Sequence, residues 1–90
     1  MKDWTPEEVR WYLLDTIVRQ HKRSPEIYTT TDRDRFDADS NVPDFEPLKQ
    51  AANELDAERL ANVKHYLGSF EIRVTPEGVA SWERESRSRD

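Results

Sequence analysis

The side chains best suited to proton transfer or metal ligation near neutral pH are the two histidines, His21 and His65. They lie far apart in the chain. Neither has a ligand-type residue three or four positions away with which to share a helical face, so both read as surface or interface residues. The run Asp37-Ala38-Asp39-Ser40-Asn41 opens like a calcium loop, with oxygen ligands at alternate positions. The sixth position is Val42 where the loop's sharp turn wants glycine. The twelfth is Leu48 where it wants a bidentate Glu. The run therefore reads as an acidic, solvated loop. Without cysteine there is no thiolate zinc site and no disulfide framework. With 2 glycines there is no glycine-rich phosphate loop, and no nucleophile elbow is present. The expectation is a non-enzyme with no catalytic residues, no metal and no cofactor.

A chain of 90 residues has room for one core. It is poor in apolar residues (34%) and rich in charge (37%), and its mean hydropathy is −1.03. Its apolar residues nevertheless fall in periodic clusters, which argues for a folded domain. The net charge of −5 repels phosphate backbones unless the bases gather on one face. Residues 25–50 alone carry −4. Few lysines among many acids fit either adaptation to high intracellular salt or a genome that favours Arg codons. No apolar run approaches the roughly 18 residues of a membrane span, and the first residues lack the apolar stretch of a signal peptide. A cytoplasmic protein without membrane contact is expected.

Three hydroxyl-Pro-Glu steps punctuate the chain: Thr5-Pro6-Glu7, Ser24-Pro25-Glu26 and Thr75-Pro76-Glu77. Each suits a helix start, with a capping hydroxyl, a proline that needs no N–H partner and an acid at the positive end of the dipole. The periodicity predicts a first helix over about 6–22, with Val9, Tyr12, Leu13 and Ile17 on its core face. A turn or short helix is expected near 25–28. Thr29-Thr30-Thr31 reads as the cap of a short helix over about 32–36, followed by a loop to Pro43. Asp44 reads as the cap of a helix over 45–57 whose apolar stripe is Phe45, Leu48, Ala52 and Leu55. The alternation of Phe70, Ile72 and Val74 with Glu71 and Arg73 predicts the second strand of a hairpin whose first strand precedes Leu67-Gly68. A closing helix carries Val79 and Trp82. The expectation is one α+β domain over 1–85, a small helical domain with a β-hairpin wing, and a frayed tail over 86–90. Leu13, Ile17, Leu48, Leu55, Leu60, Ile72 and Val79 are the expected core.

The run Ala52-Asn53-Glu54-Leu55-Asp56-Ala57-Glu58-Arg59-Leu60, followed by Phe70-Glu71-Ile72-Arg73-Val74-Thr75-Pro76-Glu77-Gly78-Val79, resembles the second half of a winged helix-turn-helix domain. That family commonly shows a helix ending in Leu, a turn, another Leu, a strand pair and then I-x-[LV]-T-x-x-G. It often has Gly where Arg59 stands, and its second helix is more regular than residues 29–44 here. The resemblance implies that helix 45–57 reads the major groove of double-stranded DNA. Lys49, Gln50 and Asn53 would then face base edges or phosphates, with Lys64 and Arg73 on the wing. Glu46, Glu54 and Asp56 oppose such contact.

The first helix carries a second apolar stripe, Trp11, Leu14 and Val18, opposite its core face. A small domain has difficulty burying both sides of one helix. This predicts a homodimer seam at those residues, with cover by Trp82 or Trp4 of the same chain as the alternative. Two functions follow: a winged-helix DNA-binding transcriptional regulator, or a winged-helix-like interaction or assembly module without nucleic acid. A basic face joining Lys49, Lys64, Arg73 and the tail from Arg84 to Arg89 favours the first. Scattered bases with an acidic recognition helix favour the second.

Overall fold

The computed structural model describes residues 2–89. The first helix, α1 (Pro6–Arg23), begins at a reciprocal cap. The Glu8 N–H donates to Thr5 Oγ1 (3.1 Å) and the Thr5 N–H donates to Glu8 Oε1 (2.9 Å). The cap holds the Glu8 carboxyl below its ordinary pKa, chiefly through the hydrogen bond from the Thr5 backbone. His21, Lys22 and Arg23 fill the last turn, where the helix dipole favours cations.

Both apolar faces of α1 are buried inside one chain. Val9, Leu13 and Ile17 are core residues, and so are Leu14 and Val18. The expected dimer seam is therefore corrected: Leu14 is 2% exposed and Val18 0%. The cover is the closing helix α4 (Pro76–Arg89), which packs against α1. Trp82 stacks on Trp11 with ring centroids 6.4 Å apart and planes 3° from parallel. Its Nε1–H donates to Asp15 Oδ1 (2.9 Å), and Lys22 Nζ lies 4.6 Å from its ring centroid. Arg89 lies over the Trp11 ring, its Cζ 4.3 Å from the centroid. Together with an Arg89–Glu85 pair (2.9 Å), this keeps α4 helical to Arg89, where the sequence led us to expect fraying. Asp90, the end of that expected tail, lies outside the described residues.

After a turn at Pro25-Glu26 the chain forms a strand, β1 (Thr29–Asp32), where the Thr29-Thr30-Thr31 run predicts a helix cap. Threonines are β-branched and sit well on a pleat. Thr31 is buried and pairs with Phe70. The cap of the next helix, α2 (Arg33–Ala38), is Asp32 instead, whose Oδ1 accepts from the Asp34 N–H (2.9 Å). A loop with buried Pro43 leads to α3 (Phe45–Ala57). Asp44 stands at its N-cap position, but its carboxylate pairs with Lys2 (2.9 Å). The Phe45 N–H is satisfied by Asp37 Oδ1 (2.9 Å) from across the loop. Asp39 Oδ1 accepts from the Asn41 N–H (2.8 Å), so both acids of the calcium-like run serve the backbone.

The strands β2 (Ala61–Tyr66) and β3 (Ser69–Val74) form the hairpin. They join β1 in an antiparallel sheet of order β1-β3-β2. Central β3 turns Phe70, Ile72 and Val74 inward onto α1 and α3, and Phe45 meets Phe70 at 5.7 Å between centroids. The fold is α+β, a small helical domain with a β-hairpin, carrying four helices and three strands among the described residues.

The exit from α3 and the entry to α4 are tied together. Arg59 takes a left-handed backbone (φ 63°), and the Leu60 N–H reaches back to the Leu55 carbonyl (2.8 Å), closing the helix. A non-glycine residue there bears roughly 1–2 kcal/mol of strain. The Leu60 carbonyl accepts from the Thr75 N–H (3.0 Å), and Thr75 Oγ1 donates to the Arg59 carbonyl (2.7 Å). Gly78 follows because a Cβ there would collide with the Leu60 carbonyl oxygen and the Val74 side chain. Leu60 and Val79, expected in the core, are only partly buried at this junction.

Candidate functional site

The five residues proposed to touch DNA fall into two groups. Lys49, Gln50 and Asn53 lie on α3, with Gln50 and Asn53 exposed and Lys49 half-buried. Lys64 and Arg73 lie on the opposite, outer face of the sheet. They alternate with the inward residues that meet α3, and both close on the Tyr28 ring at 4.7 and 4.9 Å. No single basic face joins Lys49 to Arg73.

The exposed side of α3 is acidic. Glu46, Glu54, Asp56 and the C-capping Glu58 are all exposed there. Two neighbouring cations, Arg33 and Arg10, are already engaged. Arg33 Nη2 donates to Glu46 (2.7 Å). Arg10 makes a two-pronged pair with Glu58 (2.7 and 2.8 Å) and stands 3.8 Å from Glu54. The Arg10 hydrogen bond holds the Glu58 carboxyl below its ordinary range, and Glu58 raises Arg10 in turn. Glu54, its side chain 61% exposed, is left with the longer and weaker contact.

Beside this acidic edge lies a cleft of about 180 Å³ between the start of α1 and α3. Its walls are Trp4, Pro6 and Val9 on one side and Pro47, Gln50, Ala51 and Glu54 on the other. Val9 and Ala51 form a buried floor. Trp4 packs edge-on to Tyr12 with centroids 5.4 Å apart, and so holds one wall.

The outer face of the sheet presents Tyr28 between Lys64 and Arg73. There Tyr66 Oη donates to Glu71 Oε1 (3.0 Å), which pushes the phenol's pKa up. Tyr28 and Tyr66 escaped the sequence reading. Recognising Thr29–Asp32 as a strand would have exposed Tyr28 as the residue entering it. At the hairpin tip Leu67 is fully exposed.

The histidines remain separate. His21 ends α1, and its Nδ1 is buried without a hydrogen-bond partner among the described residues. His65 is exposed on β2 at 6.5 Å from the Phe70 ring. No cluster of three or more His, Cys, Asp or Glu suited to a metal forms among the described residues. No helix among them is long and apolar enough to cross a membrane. Compared with protein-family models, with curated proteins and with solved structures, the chain matches none.

Proposed function

We propose that the chain is a winged helix-turn-helix-like module, cytoplasmic in setting, that engages a protein partner through the α3 side of the domain and does not read duplex DNA with it. The element order supports the fold half of this reading: helix, strand, helix, helix, hairpin, helix, with the hairpin's second strand central in the sheet. The left-handed Arg59 supports it too, standing where the resembled family often has Gly. The observation that carries the partner half is the charge of α3. Its exposed side bears four carboxylates against one half-buried lysine; Arg33 and Arg10 beside it are already paired, and Arg59 past its C-terminal end is the nearby exposed arginine without an ion pair among the described residues. A duplex carries one phosphate per roughly 1.7 Å of axis, and binding requires free cations to displace its counterions.

The regulator reading keeps one observation in its favour: Gln50 and Asn53 are exposed on α3, and their amides suit adenine edges. Filter binding of duplex DNA at low salt separates the two. The proposed module retains no duplex. Retention that falls steeply with salt and weakens with Lys49→Ala across all sequences would replace it with the regulator.

A further inference from the structure

The cleft beside α3 has the form of a receptor for a side chain. Pro47, Gln50, Ala51 and Glu54 follow one another at helical spacing, so they make a continuous strip along α3. Pro6 and Val9 face them from α1, and Trp4 contributes to the wall. A dry cavity of about 150 Å³ holds a benzene-sized guest. At about 180 Å³, this cleft has room for one large apolar side chain. Its rim carries an amide, Gln50, and one carboxylate, Glu54. Gln50 offers an amide to a polar side chain, and the exposed Glu54 has only a 3.8 Å contact to an arginine that Glu58 already holds at 2.7 Å.

We infer that this cleft docks a cationic amphipathic helical segment of a partner protein, with one large apolar side chain in the cleft and a Lys or Arg beside it on Glu54. The inference rests on the protein-partner reading and names the chemistry of that partner. Charge complementarity selects the occupant. A second copy of this chain carries a net charge of −5 and would bring more acid to an acidic rim. A helix laid in a groove places its anchors at the same three- and four-residue spacing that the α3 strip presents.

The test is fluorescence anisotropy with three labelled helical peptides built from Leu and Lys, from Leu and Glu, and from Ser and Lys. The Leu–Lys peptide should bind, and the other two should bind at least about tenfold more weakly. Glu54→Lys turns attraction for the peptide's lysines into repulsion at an exposed position, so it should weaken the Leu–Lys peptide by about tenfold or more, with at most a small drop in melting temperature from the lost 3.8 Å contact to Arg10. Ala51→Leu fills the cleft and should abolish binding. If that variant melts early, Glu54→Lys alone decides. Equal binding of the Ser–Lys peptide, failure of the Leu–Lys peptide to bind, or unchanged affinity in Glu54→Lys overturns the inference. Leu–Lys binding that ignores Glu54→Lys but is lost with Asp56→Lys overturns the cleft and leaves the α3 protein-partner reading standing. Retention of duplex DNA in the filter assay overturns that reading itself.

Discussion

Two tryptophans flank α1, and they treat its two sides differently. On one side Trp82 lies flat on Trp11, its indole N–H satisfied by Asp15 and a cation over each ring of the stack. Beneath it Leu14 and Val18 are sealed. On the other side Trp4 packs edge-on to Tyr12 and leaves a cleft open between α1 and α3. Both sides began as apolar stripes that a small domain has difficulty covering. The first received a whole helix as its lid. The second received α3 and the central strand β3, and only the space beside Trp4 at its N-terminal end stays open. An apolar stripe is thus a poor guide to an interface until its partners within the chain are known. What matters is which stripe remains uncovered, and what charge surrounds it.

The largest expected effect tests the sealed side. Leu14→Glu drives a carboxylate into the core and loses a buried leucine, so it should cost at least about 4 kcal/mol and unfold the domain. Thermal melting checks this. A folded variant that merely changes its sedimentation would return Leu14 to a dimer seam and break the comparison. Trp82→Phe keeps a ring on the stack but removes the N–H that Asp15 accepts. A hydrogen bond to a charged group is worth about 1.5–3 kcal/mol, and Arg19 also pairs with Asp15 (3.0 Å), so a loss of about 1.5 kcal/mol in urea unfolding is expected. Trp4→Leu on the open side keeps apolar bulk and gives up the edge-to-face pair, so it should cost less, about 1 kcal/mol. If Trp4→Leu proves more damaging than Trp82→Phe, the open side is structural after all.

The smallest effect concerns acid. The Glu58 carboxyl is held by Arg10 below the usual value of 4.5. A carboxyl depressed in the folded state stabilises the protein above its unfolded pKa, and that stability is lost as pH falls through the lowered folded value. Melting temperature should therefore drop as pH is lowered below about 4.5, and Glu58→Gln should flatten part of that drop. Because the pair is solvent-exposed, the difference should stay below about 1 kcal/mol.

Much of this architecture was legible in local sequence. The Thr5–Glu8 box sets the start of α1, and the apolar spacing of Phe45, Leu48, Ala52 and Leu55 sets α3 over its observed range. The alternation through Phe70, Ile72 and Val74 gave the central strand. The Thr29–Asp32 strand was not legible, because only Thr31 is buried and its pairing partner β3 lies far along the chain. The fate of Leu14 and Val18 was hidden for the same reason: the lid, Trp82, is 67 residues from the Asp15 it bonds. Of the site, the spacing revealed individual residues but not their grouping. Gln50 and Asn53 are indeed exposed on α3, yet Lys64 and Arg73 belong to the other face of the sheet, around a tyrosine the pattern did not single out. The cleft draws on Trp4, on the first turn of α1 and on α3, three segments that only tertiary packing brings together.

The most direct test of the contrast between the two sides of α1 follows the indole N–H resonances of Trp4, Trp11 and Trp82 by NMR while the Leu–Lys peptide is added. The Trp4 signal should shift progressively and saturate, while those of Trp11 and Trp82 stay in place. Movement of Trp82 and Trp11 with Trp4 unchanged would instead place the binding surface on the side of α1 that α4 covers.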